Sequence, residues 1–248
     1  MPTLFISDLH LSQSRPDKLD LLQEFLAGPA RTADGLYILG DLFEAWAGDD
    51  DRTPPHENII QMLAEYTIQG NKLYFMRGNR DFLVGNRFIR ETGAKLIPDP
   101  TVIRLYGTPT LLMHGDSLCS KDFAYQLYKK CVNNPPVIAL FRSLPYPIRK
   151  RIWHGVRQLT VSSSQRKSPE IVDVYQPTVE KTMKQYGVHD LIHGHTHKQA
   201  VHRFPLDGTT ARRYVLGDWY DKDSVLVTDA GPWQMLSIED YIRTCCPA

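Results

Sequence analysis

Five short apolar stretches, each ending in a small knot of polar residues, constrain this chain more than any other feature. Thr3 to Ser7 runs into Asp8, Leu36 to Leu39 into Gly40-Asp41, and Leu73 to Met76 into Arg77-Gly78-Asn79-Arg80-Asp81. Leu111 to Met113 runs into His114-Gly115-Asp116, and Leu191-Ile192 into His193-Gly194-His195-Thr196-His197. Consecutive apolar positions in runs this short predict strands buried on both faces. Apolar residues spaced by three and four predict helices over Asp17 to Leu26, Glu57 to Gln69 and Val174 to Tyr186. Strand and helix in alternation give an α/β fold, in which ligands collect beyond the carboxyl ends of the strands. After Gly194 the strand-like segments Ala200 to Phe204, Arg212 to Leu216, Ser224 to Asp229 and Trp233 to Ile238 are expected to be antiparallel and to complete a second sheet.

The total charge misleads. Lys and Arg number 29 against 28 Asp and Glu, a net +1, which argues against a dedicated polyanion binder. Between Ser120 and Ser168, however, stand ten basic residues and one acid, Asp122, a net +9; the other 199 residues carry 19 bases and 27 acids, a net −8. Disorder is not expected at 42% hydrophobic and 23% charged residues. No run of about 18 apolar residues exists to span a bilayer. The start of the chain enters a strand-like run without a basic leader, so no secretory signal and a cytoplasmic setting are expected. The four cysteines (Cys119, Cys131, Cys245 and Cys246) have no metal or disulfide spacing, and reduced thiols are expected.

The polar knots have the composition of metal ligands. Asp8 and His10, at i and i+2 on a segment expected to be extended, would present a carboxylate and an imidazole on one face. Asp41 adds a carboxylate, Asn79 a carboxamide oxygen, His114 an imidazole, and His195 with His197 an alternating imidazole pair. Any one of these alone is better read as a helix cap or a surface histidine. Together, without a thiolate, they suit two hard or borderline divalent ions such as Mn, Fe, Zn or Mg. Two cations need a bridging anion, and Asp41 is the candidate. With ions roughly 3.5 to 4 Å apart, a bridging water is acidified toward hydroxide near neutral pH, the requirement of phosphoryl transfer.

In the order Asp-x-His, Gly-Asp, Gly-Asn-x-Asp, His-Gly-Asp, Gly-His-Thr-His, these motifs resemble the calcineurin-like metallophosphoesterase superfamily from Thr3 to about Asp116 and from about Val174 to Ile238. The resemblance implies one α/β domain over residues 1–248, a four-layer α-β-β-α sandwich of two mixed sheets, with residues 120–168 inserted as a helical lid. It implies two Mn2+ ions, one held by Asp8, His10, Asp41 and His197 and the other by Asp41, Asn79, His114 and His195; His193 falls outside the ligand set. Where many members have a histidine after the asparagine, this chain has Arg80. An arginine fork matches phosphate oxygens but does not donate a proton at neutral pH, which suits pyrophosphate cleavage better than ester hydrolysis. The alternative for Arg80 is an ion pair with an acid such as Asp81.

Gly-Asn-Arg-Asp-Phe, Ile-Ser-Asp-Leu-His-Leu and the basic insertion extend the resemblance, within that superfamily, to enzymes of lipid A biosynthesis. It then implies attack of water on the α-phosphorus of UDP-2,3-diacylglucosamine, giving UMP and 2,3-diacylglucosamine 1-phosphate, with Asp41, Arg80 and His195 catalytic. Implied substrate contacts are Asn79, Arg80, Asp122, Thr160, Ser164, Lys167 and His195, with Asp122 alternatively capping the helix after Ser120. The implied location is peripheral, on the cytoplasmic face of the inner membrane of a Gram-negative bacterium. A different dimetal phosphoesterase acting on nucleic acids, nucleotides or cyclic nucleotides, and a non-catalytic scaffold, are the competing functions.

Within the insertion, bases alternate with Phe141, Leu144, Tyr146, Ile148, Ile152, Trp153 and Val156. Pro145 and Pro147 split the stretch from Val137 to Leu159 into two short helices, with Ser162-Ser163-Ser164 as the following loop. A basic amphipathic pair can cover acyl chains and approach an anionic leaflet at about 1 kcal/mol per cation. A nucleic-acid groove and a plain solvated face are the alternatives; no nucleic acid and no protein partner are expected.

Overall fold

In the computed structural model, residues 1–165 and 167–245 are described, with the backbone alone at 159, 161–165 and 169. Period-two alternation explains the apolar runs. In β1 (Thr3–Ile6), Leu4 and Ile6 face one core while Phe5 faces another. The same division holds in β2 (Gly35–Leu39), with Leu36 and Ile38 opposite Leu39, and in β3 (Leu73–Met76), with Phe75 opposite Met76. The helices α1 (Pro16–Ala27) and α2 (His56–Ile68) return the chain between these parallel strands and bury Leu22, Phe25, Ile59 and Leu63 against the first face. After α3 (Asn86–Thr92) comes β4 (Lys95–Ile97), and then the chain leaves for a second sheet.

That second sheet begins with a hairpin, β5 (Thr101–Leu105) and β6 (Thr108–Met113). The chain then passes through α4 (Phe123–Val132), α5 (Pro135–Ser143), α6 (Tyr146–Gln165), α7 (Pro169–Val172) and α8 (Gln176–Tyr186), and returns as β7 (Asp190–His193), β8 (Ala200–Leu206) and β9 (Thr209–Val215). Its last elements are β10 (Ser224–Thr228), β11 (Gln234–Ser237) and α9 (Ile238–Cys245). The two sheets run β11-β10-β1-β2-β3-β4 and β5-β6-β7-β9-β8, each mixed. Between them lies the core of Phe5, Leu39, Leu112, Ile192, Tyr214 and Leu226. On the far side of the second sheet, Val179 and Met183 of α8 pack on Leu111, Met113 and Leu191. The result is helix, sheet, sheet, helix.

Three expectations need correction. The late strands do not all complete the second sheet: β10 pairs antiparallel with β1, Thr3 opposite Thr228, and carries β11 with it. Val225 and Leu226 face opposite cores, so this strand needs cover on both sides and finds it beside β1. Also, β9 is parallel to β7, and only β8 pairs with it antiparallel. The insertion breaks near Pro145 as expected, but α6 is one helix of 20 residues whose backbone continues through 162–164. Packing of Trp153 and the buried Arg149 against the core on one face of α6 overrides the weak helix preference of the serines.

Candidate metal centre

Every polar knot sits just past the end of a strand, and three neighbouring strands, β1, β2 and β3, deliver theirs side by side. The amide of Asp8 donates to the carbonyl of Gly40 at 3.1 Å, and that of His10 to the carbonyl of Asp41 at 3.0 Å, so the loops after β1 and β2 run alongside each other. Asp8 and His10 are not extended, contrary to expectation: their φ angles are 55° and 48°. Asp41, His195 and His197 are also left-handed, at 55°, 69° and 59°. Such a conformation is disfavoured for residues with a Cβ, and its concentration at one place marks a functional site. Close approach does the rest. A Cβ on Gly78 would lie 2.2 Å from Asp41 Oδ1, and one on Gly194 would lie 2.2 Å from Asp8 Oδ2, so only glycine lets these loops meet.

The seven residues assemble as two groups that share Asp41. In the first, His197 Nε2 lies 3.4 Å from Asp8 Oδ1 and 3.3 Å from His10 Nε2, and His10 Nε2 lies 3.9 Å from Asp41 Oδ2. In the second, His114 Nε2 lies 3.8 Å from Asp41 Oδ1, and both His114 Nε2 and His195 Nδ1 lie 2.9 Å from the Asn79 carboxamide oxygen. Each Asp41 oxygen therefore faces one group. The Asp8 carboxylate is fully buried; its Oδ2 accepts from Ser7 Oγ at 2.5 Å and from the His195 amide at 2.8 Å, while its Oδ1 has no hydrogen-bond partner. An unpartnered buried carboxylate oxygen aimed among imidazole nitrogens fits a cation. His114 Nδ1 donates to the Leu39 carbonyl at 2.9 Å, so that in the neutral ring the lone pair is on Nε2, toward the site.

The protonation equilibria report the same negative field. Burial opposes charge on His114, but Asp41, Asp116 and Asp8 outweigh it and push its pKa up to about 9. Burial likewise opposes charge on His197, but its close contacts with the Asp218 and Asp8 carboxylates push it up to about 10. His195, with burial and the neighbouring His114 both against it, falls to about 4. Burial would raise Asp8, yet its contact with His197 and the charges of His114 and His10 hold it well below the usual carboxylate range.

Several residues that sequence reasoning left without a role support these groups. Asp218 Oδ2 lies 3.1 Å from His197 Nδ1, and Glu44 Oε2 lies 3.3 Å from His10 Nδ1. Asp218 follows the apolar run of β9 and a glycine, the same signature as Asp41, and that signature was available to find it; Glu44 carried none. Asp81 does not pair with Arg80. Its oxygens accept from the amides of Leu42 and Gly78, and burial together with repulsion from Asp41 pushes its pKa up to about 7. Arg80 places its amide 2.7 Å and its Nε 4.0 Å from Asp41 oxygens, and that Nε has no hydrogen-bond partner. His193 stays outside both groups, with Nδ1 donating to the Gly194 carbonyl at 2.8 Å.

Beside the second group opens a cavity of about 390 Å³, lined at one end by Asn79, Arg80, Asp122, Thr160 and His195. Its remaining wall is largely aliphatic and aromatic, from Phe82 to Phe141, Ile152 and Trp153. Asp122 does two things at once: it caps α4 by accepting from the Tyr125 amide at 3.0 Å, and it receives Lys167 Nζ at 2.6 and 2.8 Å. Thr160 spends its hydroxyl on carbonyls of its own helix. The Ser164 side chain lies outside the described residues. Much of the insertion's positive charge is turned inward onto the acidic body: Arg149 pairs with Asp50, Arg157 with Glu44, and Lys129 with Asp116. Outward, α4 and α5 expose Phe123, Leu127 and Leu140 at 82%, 65% and 69%.

Residues 1–199 match the family described as calcineurin-like phosphoesterase. A curated relative from Pseudomonas aeruginosa (strain UCBPP-PA14), named UDP-2,3-diacylglucosamine hydrolase, is 46% identical over 93% of this chain and 96% of its own length. Relatives of the same name from Marinobacter nauticus and Photobacterium profundum are each 47% identical, over 88% and 92% of this chain and 90% and 93% of theirs. Two mixed sheets between helices, strand-end carboxylates and imidazoles in two groups around one aspartate, and a family match over four fifths of the sequence lead to one conclusion: the chain belongs to the calcineurin-like phosphoesterase family.

Proposed function

We propose that this chain hydrolyses the pyrophosphate bond of UDP-2,3-diacylglucosamine, releasing UMP and 2,3-diacylglucosamine 1-phosphate. The observation that carries this reading is the apolar cavity that begins at Arg80 and His195 beside the second ligand group. A phosphoesterase for small soluble nucleotides has no use for walls of Phe82, Phe141, Ile152 and Trp153, whereas two acyl chains do. The names of relatives at 46% and 47% identity support the same substrate.

In this reading Asp8, His10, Asp41 and His197 hold one divalent ion and Asp41, Asn79, His114 and His195 the other, with manganese the proposed metal. When bound, such ions offset charge on phosphoryl oxygens and lower the pKa of water. The protein supplies position. Arg80, fixed by its own amide on Asp41, directs a permanently charged guanidinium at the pyrophosphate and stabilises charge as it builds on the α-phosphoryl oxygens. A sugar phosphate leaves as an anion, so no protonated side chain is required behind it. Asp122, on the cavity wall, holds Lys167 by its carboxylate, and that cation is the one offered to phosphate. The lid helices exclude water from the acyl chains.

The exposed Phe123, Leu127 and Leu140, with Lys121 and Lys130 on the same insertion, support a peripheral seat on an anionic membrane surface, at the cytoplasmic face of the inner membrane. Among the described residues no helix is long and apolar enough to cross a bilayer. The deciding experiment compares hydrolysis of UDP-2,3-diacylglucosamine with that of UDP-N-acetylglucosamine, each with and without Mn2+ and detergent. A strong preference for the diacyl substrate is expected; equal rates would remove the lipid assignment.

A further inference from the structure

A second cavity, of about 590 Å³, adjoins the first and shares with it a wall made by Asn79, Phe82, Tyr125, Tyr128 and Ile138. Its size falls within the range of roughly 300 to 1,000 Å³ typical of small-molecule sites. Beyond that wall its lining carries more charge than the first cavity's: Arg77, Asp99, Asn133 and the Lys129–Asp116 pair stand among Leu96, Ile97 and Pro98. A substrate cut at its centre must send two halves away from the ligand groups in two directions. The flank at His10 is closed, because Tyr220 stacks on the His10 ring at 5.5 Å and donates to Glu44, which also holds Arg157. The opening past Asn79 leads into this second cavity.

Resting on the function proposed above, we infer that this cavity holds the uridine monophosphate half of the substrate. The groups there match its parts. Arg77 commits Nε to the Val84 carbonyl at 2.7 Å, its only hydrogen bond among the described residues, which leaves both terminal nitrogens for phosphate oxygens. The Asp99 carboxylate, of which Oδ1 accepts the His114 amide at 3.3 Å, has a second oxygen for the ribose hydroxyls. The Asn133 side chain, exposed at the C-terminal end of α4 and without a hydrogen-bond partner among the described residues, presents an acceptor and a donor on one edge. Uracil offers the complement in its N3–H and O4. Tyr128 supplies an aromatic face.

The assignment separates the two cavities by chemistry, and filling variants test it. Asn133→Trp, on the lid side, and Pro98→Trp, on the body side, narrow the second cavity without touching either ligand group. UMP and, separately, 2,3-diacylglucosamine 1-phosphate are titrated calorimetrically into manganese-loaded wild type and variants, with metal content and melting temperature checked in each. The expected result is UMP binding at least tenfold weaker in either variant that keeps wild-type metal content, with the lipid product's affinity unchanged. Weaker lipid binding with unchanged UMP binding assigns the cavity to an acyl chain and overturns the inference. So does no change in either affinity, or no measurable UMP binding to wild type. Should the wild type bind UMP, and lose it in the variants, yet leave UDP-2,3-diacylglucosamine intact, the catalytic reading fails while the nucleotide site stands.

Discussion

The carboxylate of Asp81 accepts the amide of Leu42 at 2.8 Å with one oxygen, and with the other it accepts Gly78 at 2.7 Å. One side chain thereby ties the loop carrying Asp41 to the loop carrying Asn79. Asp81→Ala leaves two buried amides unsatisfied, at about 1–3 kcal/mol each, so a loss of about 2–6 kcal/mol is expected. Urea unfolding measures it. Metal titration of the same variant is expected to show weaker binding at both sites, because Asp41 faces both groups; undiminished affinity would separate Asp81 from the centre.

Asp218 fixes His197 from behind, 3.1 Å from Nδ1, and so keeps Nε2 toward Asp8. Loss of such a partner commonly lowers metal affinity about 10- to 100-fold. Asp218→Ala is expected to do so at one site and not the other, read as the free-ion signal in a manganese paramagnetic-resonance titration. Equal weakening at both sites would mean the loop after β9 acts on the fold as a whole.

Arg80→Ala is expected to lower kcat about 100- to 1,000-fold, the usual effect of deleting a charge-stabilising donor, with a smaller rise in KM. Arg80→Lys should rescue little, since a point charge does not reproduce the fork. In oxygen-18 water the label is expected in UMP; label in the sugar phosphate would move the attack to the other phosphorus.

Asp51 anchors the insertion to the body by accepting the Tyr146 hydroxyl at 2.6 Å beside His56 at 3.3 Å. Burial alone would raise its pKa, but the contact with His56 and the hydrogen bond from Tyr146 outweigh that and hold it well below 3.8. A carboxylate with a depressed folded pKa stabilises fully above its unfolded value and loses that contribution as pH falls through the folded one. The stability gap between wild type and Asp51→Asn is therefore expected to be constant near neutrality and to close below about pH 3.8. Chemical unfolding at successive pH values measures it.

Phe123 and Leu127 project from α4 into solvent. Phe123→Ser with Leu127→Ser is expected to lower co-sedimentation with anionic phospholipid vesicles several-fold while UMP formation in detergent stays near wild type. Vesicle binding that survives the double change would place the membrane contact elsewhere.

Most of the candidate metal centre was legible because the residues that gather there are short-range features: each follows a buried strand, and strands such as β2 and β3 bury both faces and so stand out as unbroken apolar runs. What tertiary packing decides was not legible. Nothing local distinguishes β10, which crosses back to β1, from β9, which stays with β7. Asp81 and Glu44 act through partners far away in sequence, and an acid near the start of a loop looks the same whether it caps a helix or joins two loops. The left-handed backbone at Asp8 and His10 was hidden by an alternation that a strand would also produce. The insertion's charge was countable, but not its direction: Arg149 and Arg157 point inward because Asp50 and Glu44 await them.

Those left-handed residues set a limit on improving this protein by stability alone. Glycine would relieve the backbone at Asp8, His10, Asp41, His195 and His197, where each strained residue costs on the order of 1–3 kcal/mol. Selection for a more robust fold in the absence of metal thus favours erasing the chemistry, one residue at a time. Engineering a hardier variant therefore calls for screening in the presence of the ions, so that any gain in folding is counted only when the five side chains survive it.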